Sequence, residues 1–476
     1  MDHEQLSMIG YILKHELKSQ FRNGRVKILL SLIVFIWILV LSIGYIDYMD
    51  AKKQYEDSVA EVRRNWENQP EKDPHDAAHD GTYVIKPHYP LTILDKGILP
   101  FSGQVIHLRA HQRQLSTFKE SKDRSGLFRF GEMTISFTLI YLFPLLIIFL
   151  GYNAITSERE HQTIRLLAAQ GVSFHHLCIG KWLAVFVQIL LALAPLIIGA
   201  LFFGFDLVDG AVTSIEWISL FVMYILYFLT FLSIVILVSI TSKSSGSSLM
   251  FLLSIWIFMT LIVPKVSTNV SSMLYPFPKL QTFTERITED KAKGLDGHNF
   301  WNEAAKEFQQ NVLNQYNVSS IEDLPVVYSG LLLAEGEKYE SEIYTKHFNL
   351  LQHQYNKQRN IYRGLGFLSP MLPTRFSSMS FTRADYGFLW HFGAQAELYR
   401  LKLNTALNMD IAHHAKDVEY YMANDSLWSS MPIFEYAWQP SQEILQNHIP
   451  EFLILTVWAF GSFVLMVRFS RSIRII

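Results

Sequence analysis

Histidines are the residues of this chain whose type and spacing could hold a metal ion. His107 and His111 lie four positions apart, which would place both on one face of a helix and let them share a zinc or copper ion. Two other pairs have similarly close spacing: His75 with His79, and His413 with His414. No cysteine lies near them, and an acidic third ligand cannot be assigned. We therefore expect structural or solvated histidines and predict no bound metal, with His107 and His111 as the weak candidates.

A second group of residues could suggest hydrolytic chemistry. Asp385, His391 and Glu397 combine two carboxylates with an imidazole. However, Asp385 and His391 are six positions apart, so they would not share a helix face, and no nucleophile motif accompanies them. We expect these residues to hold their domain together instead. Arg400 or Arg383 could pair with Asp385, and Glu397 could cap a helix or bridge two segments.

The elements that must position these residues follow from the composition. Of 476 residues, 50% are hydrophobic and only 18% are charged, whereas a soluble protein of this size would carry about 25% charged residues. Crossing about 30 Å of hydrocarbon takes about 20 apolar residues, and six segments are long enough. The predicted spans are residues 26–46, 133–155, 182–203, 217–240, 249–266 and 450–467. The predicted fold is an all-α polytopic membrane protein.

Charged flanks predict how the spans are oriented. Basic residues flank the first span, the second-to-third connection and the last span: Lys14, Lys18, Arg22, Arg25, Arg159, Arg165, Lys181, Arg468, Arg471 and Arg474. The third-to-fourth connection instead contains Asp206, Asp209 and Glu216, without Lys or Arg. The positive-inside rule therefore places both termini in the cytoplasm. Residues 1–25 would include an amphipathic helix at the inner membrane surface, and residues 468–476 would form a cytoplasmic tail.

Two long loops would then lie on the periplasmic side. The first, residues 47–132, is polar, and its Pro-, His- and Asp-rich stretch at 70–79 is typical of a flexible segment. The second, residues 267–448, is long enough for its own hydrophobic core. Its apolar spacing predicts a mainly helical domain, with long helices over 335–362 and 386–412.

Several classes of function are excluded by what the sequence lacks. A net charge of −2 provides no basic field for nucleic acid, and a single cysteine excludes an internal disulfide framework. A phosphate-binding Walker loop needs four residues between its glycine and Gly-Lys, but eight separate Gly171 from Gly180 and Lys181. The predicted spans also contain essentially none of the ionisable residues of ion-coupled carriers. Energy is therefore expected to come from another subunit.

The connection at residues 156–181 is the most informative cytoplasmic segment. Glu158 and Glu160 open it, which is favourable at a helix N-terminus. Leu167 belongs to a short apolar face, and Gly171 can end the helix. This pattern predicts a short amphipathic helix between two spans. Such a helix suits docking in a partner's groove, but it could equally lie on the membrane surface and merely turn the chain.

The same segment resembles the loop after the second span of ABC-2 type transporter permeases. It runs from Ser157-Glu158-Arg159-Glu160 to Gln170-Gly171-Val172-Ser173, with Gly180-Lys181 opening the next span. The family's Glu-x-Gly-Thr appears here as Glu160-His161-Gln162-Thr163, with Gln in place of Gly. Further motifs are similar, in their order, to a bacterial subfamily with a large uncharacterised periplasmic insertion before the last span. They include Ser369, Pro370, Asp385, His391, Glu397 and Arg400, which would be structural or would contact a partner.

The resemblance implies a membrane-spanning subunit of an ABC exporter in the bacterial inner membrane. The loop would form the coupling helix that rests on a separate ATPase, and two ATPase subunits would hold ATP and magnesium. This chain would have no cofactor and no catalytic site of its own, and a second copy or a paralogous permease would complete the route through the lipid bilayer. The implied docking residues are Glu158, Arg159, Glu160, Thr163, Arg165, Leu167, Gln170 and Gly171. Glu158 and Glu160 would face basic side chains of the ATPase, and Arg165 could form a reciprocal pair.

Two alternatives to export stay open at this point. The large external domain could use ATP-driven motion to act on a periplasmic or outer-membrane partner without moving a small molecule. The chain could also be a membrane-anchored binding or scaffold protein that has no ATPase. If the protein is an exporter, we expect spans two and five to line the route, with Pro144 and Pro264 near their outer ends.

Overall fold

The computed structural model describes residues 3–22, 24–114, 116–119, 133–207 and 212–472. Part of the predicted first loop, Asp209 and Arg474 therefore lie outside the described residues. The described chain is mainly helical, as expected, with one small sheet.

Six helices in the described ranges are long and apolar enough to cross a membrane, which confirms the predicted count. Spans one to six are Arg25–Glu67, Ile135–Glu160, Phe174–Gly199, Ser214–Thr241, Ser245–Leu274 and Ser441–Ser472. In finer detail the helices are α1 (His3–Arg22), α2 (Arg25–Glu67), α3 (Pro74–Asp80), α4 (Ile135–Phe137), α5 (Phe143–Gly151), α6 (Thr156–Glu160), α7 (Thr163–Ala169), α8 (Phe174–Leu207), α9 (Ser214–Thr241), α10 (Ser245–Ile257), α11 (Val263–Leu274), α12 (Leu280–Lys291), α13 (Glu303–Tyr316), α14 (Tyr328–Leu365), α15 (Met371–Phe381), α16 (Tyr386–His414), α17 (Asp425–Ser430) and α18 (Ser441–Ser472).

The spans pack around a core of large side chains. Trp37, Phe143, Tyr227 and Phe228 are fully buried between spans one, two and four. The indole N–H of Trp37 donates to the carbonyl of Ala192 in span three at 2.9 Å. Because hydrocarbon offers no water to a buried N–H group, this hydrogen bond also fixes how span one sits on span three.

Spans two and five share a local irregularity. A π-helical turn, Thr138–Leu142 in span two and Phe258–Ile262 in span five, ends two residues before a proline. The prolines, Pro144 and Pro264, have no N–H group, so a carbonyl in the preceding turn loses its backbone donor. The two spans predicted to line a route thus have the same break in their backbone hydrogen bonds.

Side chains from other elements donate to carbonyls in these turns. The hydroxyl of Tyr227 in span four donates to the carbonyl of Ile140 at 2.8 Å, four residues before the proline of span two. The hydroxyl of Ser369 donates to the carbonyl of Met259 at 2.6 Å, five residues before the proline of span five. Both irregular turns are therefore held by a specific neighbour.

The two long loops form one structure, which we call the polar domain (residues 68–119 and 275–440, together with the end of α2). Lys72 of the first loop and Ala423 of the second exchange backbone hydrogen bonds of 3.2 and 2.9 Å. The rings of Trp66 and Trp428 pack edge to face with centroids 6.1 Å apart. The hydrophobic cluster around these two tryptophans thus includes residues of both loops.

The first loop is more ordered than its composition suggests. Helix α3 lies in the stretch predicted to be flexible, and the Asp73 side chain caps it by accepting from the N–H of His75 at 2.6 Å. Strands β1 (Thr82–Ile85), β2 (Gly103–Leu108) and β3 (Thr117–Lys119) form an antiparallel sheet in that order. This sheet was not predicted from the sequence. The long helices predicted in the second loop correspond to α14 and α16.

Buried ion pairs join the polar domain to the spans. Arg383, between α15 and α16, lies 2.8 Å from Glu216 in the first turn of span four. The hydroxyl of Tyr89 donates to the other oxygen of Glu216 at 2.7 Å. Arg363 near the end of α14 lies 2.6 Å from Glu451 in span six. The polar domain is therefore attached to the bundle through side chains as well as through the chain itself.

The segments predicted to be cytoplasmic meet at the opposite end of the bundle. Lys181 at the start of span three pairs with Glu16 of α1 at 2.9 Å. His175 accepts or donates a 2.8 Å hydrogen bond with Ser470 at the end of span six. This grouping matches the predicted division of the loops, whereas the assignment of this end to the cytoplasm stays a prediction.

His88 should make the stability of the polar domain depend on pH. Burial, reinforced by Lys86 and Lys96, lowers the pKa of its imidazole to about 4, while in the unfolded chain it stays near 6.5. Between these values the unfolded chain binds a proton that the folded chain does not, so stability is lost as the pH falls from about 6.5 to 4. Because His88→Gln lacks this titration, its free energy of unfolding should fall by about 3 kcal/mol less than that of the native protein over this pH range. Unfolding midpoints measured across this pH range would test it, and an unchanged slope in the variant would contradict it.

Candidate functional site

The connection between spans two and three consists of two short helices, not one. α6 ends at Glu160, α7 begins at Thr163, and Gln162 between them has φ 59°, in the left-handed region. A residue in this conformation cannot continue a right-handed helix. The prediction of one continuous amphipathic helix was therefore wrong, although both helical pieces lie in the predicted segment.

The conformation of Gln162 gives a physical reason for glycine at this position in related loops. A side chain in the left-handed region brings Cβ close to the following carbonyl oxygen, whereas glycine has no Cβ. Gly171, which follows α7, has φ 81° and supplies the predicted stop. The loop therefore needs two left-handed residues, and only one of them is glycine.

Glu158 is turned toward the bundle. One of its carboxylate oxygens lies 2.8 Å from the ammonium of Lys181, which also binds Glu16 of α1. The hydroxyl of Thr163 donates to the other oxygen of Glu158. Lys181 is almost fully buried. This chain of contacts fixes the loop to the start of span three and to α1.

Arg159 and Glu160 bind the ends of spans four and five. Arg159 donates to the carbonyl of Ser242, and to that of Ile240 at 2.9 Å, at the C-terminus of α9. Glu160 accepts from the backbone N–H and the hydroxyl of Ser245 at 2.7 Å each, at the N-terminus of α10. A cation at a helix C-terminus and an anion at an N-terminus are both favourable. The first three charges of the loop thus have partners within this chain.

The outward surface of the loop belongs to α7. Arg165, Leu166, Ala169 and Gln170 are exposed, while Leu167 packs partly against the core of the bundle. Leu166 is 65% exposed, a large apolar side chain on a charged loop beyond the apolar part of the spans. Leu166 was not among the docking residues predicted from the sequence. Its spacing with Ala169 and Gln170, three and four positions on, could have indicated a shared outward face.

Asp385 and His391, which were expected to have structural roles, each bind a separate partner. Asp385 caps α16 by accepting from the N–H of Phe388 at 3.0 Å. His391 lies six residues, or nearly two turns, further along the chain and forms a 2.8 Å hydrogen bond with the hydroxyl of Tyr436. The expected pairing of Arg383 with Asp385 was wrong, because Arg383 binds Glu216 instead.

Glu397 and Arg400 form the charged core of the polar domain. Arg400 lies 2.8 Å from Glu397 and 2.5 Å from Glu337 of α14. Arg400 is 1% exposed and Glu337 is 0% exposed. Although burial by itself raises the pKa of Glu337, Arg400 and His111 hold it below its usual range. Glu397 also accepts from the hydroxyl of Ser341 on α14 at 2.7 Å, so it bridges two helices. Arg400 pairs with two glutamates and not with Asp385.

Ser369 and Pro370 lie where the polar domain meets span five. The Ser369 hydroxyl binds the π-helical turn and accepts from the N–H of Met371 at 3.1 Å, at the start of α15. Ser369 is fully buried. The motif is thus a structural contact between domain and span.

The predicted histidine pair is separated. His107 lies on β2 and not on a helix, where its ring stacks on Tyr83 at 4.3 Å and its Nε2 bonds the carbonyl of Asp80 at 2.9 Å. His111 lies three residues beyond the end of β2 and contacts His75, His79 and His298 instead. His414 binds Asp410 on its own helix at 2.8 Å.

Replacing Gln162 by glycine should stabilise the loop. Gln162→Gly removes a left-handed side chain, and a gain of about 1 kcal/mol should slow amide exchange across residues 158–170 about fivefold. Hydrogen exchange of the purified protein would measure it. Gly171→Ala is the matched reverse change, because open space surrounds its Cβ position and only the backbone conformation opposes alanine. Equal exchange in all three proteins would contradict the prediction.

Removing the Ser369 hydroxyl should destabilise the junction with span five. Ser369→Ala leaves the Met259 carbonyl without this buried donor, which should cost about 1–3 kcal/mol of unfolding free energy. Ser272→Ala is the control, since that hydroxyl is exposed and bonds carbonyls of its own helix. Thermal unfolding in detergent should separate the two variants, and equal midpoints would count against the assigned role of Ser369.

Comparison with known proteins gives two family matches. Residues 11–357 match the family described as ABC-2 family transporter protein. Residues 280–437 match a domain of unknown function, DUF3526, which covers most of the second loop of the polar domain. No curated protein and no solved structure matches the chain.

Proposed function

Because the chain belongs to the ABC-2 transporter family, we propose that it is the permease subunit of an exporter driven by separate ATPase subunits. Membership of the family makes it a multi-pass membrane protein, and the catalytic ATPase of such systems is a partner. The observation that carries the proposed coupling is the anchored loop, which presents exposed Leu166 on α7.

The loop is suited to pass a displacement to several spans at once. It continues directly from span two, and Glu158 binds Lys181 of span three. Arg159 and Glu160 hold the ends of spans four and five. A push by the ATPase on α7 would therefore move the inner ends of four spans together, as rigid bodies.

Of the predicted lining spans, span five has the freer surface. Of the 18 most apolar consecutive residues of span five, 22% are buried within the chain, compared with 67% for span two. Its exposed face includes the polar residues Ser254 and Lys265. We assign this face to the route or to the second permease copy, which would be identical or paralogous, in the inner membrane of a bacterium.

A second candidate function is transmission of force to a periplasmic or outer-membrane partner. The buried pairs of Arg383 with Glu216 and Arg363 with Glu451 favour it, because they would carry motion of the spans into the polar domain. Both functions use the same ATPase coupling. They differ in whether a solute crosses the membrane, which flux measurements on reconstituted vesicles would distinguish.

Leu166 provides the test of the coupling. Leu166→Asp places a charge at the centre of the proposed docking face, and loss of an interface anchor costs at least about 2 kcal/mol, or about 30-fold in affinity. The tagged native protein should co-purify with an ATPase in mild detergent, and the variant should lose it together with ATP turnover.

The matched control is Leu398→Asp. Leu398 is 67% exposed, like Leu166, but it lies on α16 of the polar domain at the other end of the molecule. It should keep the ATPase. Retention of the ATPase by Leu166→Asp would reject the docking face, and absence of any ATPase from the intact native protein would favour a membrane-anchored scaffold.

A further inference from the structure

Four histidines converge at one point of the polar domain. His75 and His79 lie one turn apart on α3, His111 follows β2, and His298 lies in the connection between α12 and α13. One ring nitrogen from each falls within 4.8 Å of the others. These residues come from both long loops, so the cluster lies at the interface between the two loops.

The spacing of the ring nitrogens fits a shared ion. Nε2 of His298 lies 3.0 Å from Nε2 of His111 and 3.4 Å from Nε2 of His75. Four nitrogens at the usual zinc–nitrogen distance of about 2.0–2.1 Å in a tetrahedron lie roughly 3.3–3.4 Å apart. All four rings also approach one another, with centroid distances from 4.6 Å for His75 and His79 to 5.8 Å for His79 and His298.

Neighbouring side chains select the tautomer that binds metal. Nδ1 of His75 lies 2.9 Å from the side-chain oxygen of Asn408, an acceptor, so Nδ1 carries the proton. Nδ1 of His111 lies 3.2 Å from carboxylate oxygens of both Glu337 and Glu340. In both rings Nε2 is then free to ligate, and a carboxylate or amide behind a ligating histidine is the usual support of a metal site.

The Nε2 atoms of His111 and His298 face each other at 3.0 Å. Neutral imidazole is the form that ligates metal. With both rings neutral and protonated at Nδ1, the Nε2 lone pairs would point at one another, an arrangement that a bound cation would relieve.

We propose that His75, His79, His111 and His298 bind one divalent transition-metal ion, with zinc as the ion that the arrangement fits. Imidazole ligands suit zinc, copper and nickel, but the two others prefer square-planar geometry in their divalent states, whereas this set is compact in three dimensions. Four protein ligands leave no open position, so the site is structural. The inference does not depend on the proposed transport function.

The ion would fasten the first loop to the second. His75, His79 and His111 belong to the first loop, whereas His298 belongs to the DUF3526 segment. Through Glu337 the site also contacts Arg400 and thus the charged core of the domain. His298 is exposed, which provides access for the ion from solvent.

The test is metal binding by the intact protein. After chelator treatment, the full chain in detergent should take up one zinc per chain, measured by mass spectrometry, and X-ray absorption should give about four nitrogen ligands near 2.0–2.1 Å. Zinc should also raise the thermal unfolding midpoint. His298→Ala removes the exposed ligand and should lower zinc affinity at least about 100-fold and abolish the shift in the midpoint.

Two further variants keep the result interpretable. Glu340→Gln weakens the support of His111, together with the ion pair of Glu340 and Lys291, without removing a ligand, and should weaken zinc binding about 10–100-fold. His107→Ala removes a histidine of the same domain outside the cluster and should bind zinc as the native chain does. The proposal is overturned if less than about a fifth of native chains retain zinc, if His107→Ala loses as much affinity as His298→Ala, or if nickel or copper binds in the same site with a square-planar spectrum.

Discussion

The buried pair of Glu216 and Arg383 is the interaction on which the two-part architecture depends. Glu216 is fully buried at the start of span four, where it also accepts from Tyr89 and completes a capping box with Thr213. Two nitrogens of Arg383 make no hydrogen bond, and its guanidinium lies 5.3 Å from the centre of the Tyr89 ring. Separating such a pair leaves a buried charge, at a cost of about 3–5 kcal/mol. The polar domain and the bundle therefore cannot separate at this contact without a large cost in free energy.

The π-helical turns show a second way in which the two parts constrain each other. A proline in a span leaves a carbonyl without its donor, and within a bilayer no water replaces it. Tyr227 supplies a donor from inside the bundle, whereas Ser369 supplies one from the polar domain. Span five is thus irregular at a position that the polar domain stabilises. An irregular turn of the bundle is thus in direct contact with the polar domain, and Ser369 has a role that its position in a short motif did not explain.

The features that were predicted correctly from the sequence are those that depend on patterns within a single segment. The six spans follow from hydropathy within single segments, and the loop at 156–181 follows from charge and resemblance. Gln162 was not recognisable as left-handed, because its conformation depends on the anchoring of Glu158 and Glu160 to other spans. The sheet of the first loop was missed because its strands are short and separated by turns. His111 and His298 are 187 positions apart, and no spacing rule connects residues at that distance. Partners of Arg383 and Arg400 were wrongly assigned for the same reason, since proximity in sequence pointed to Asp385.

The shared construction of the polar domain also has a consequence for biosynthesis. At about 5–20 residues per second of translation, the 187 positions between His111 and His298 separate their appearance by roughly 10–40 seconds. During this interval four spans must be inserted while the first loop waits without its partner. The contacts between the two loops, such as that of Lys72 with Ala423, can form only when synthesis has nearly finished. Their formation therefore indicates a correctly inserted chain.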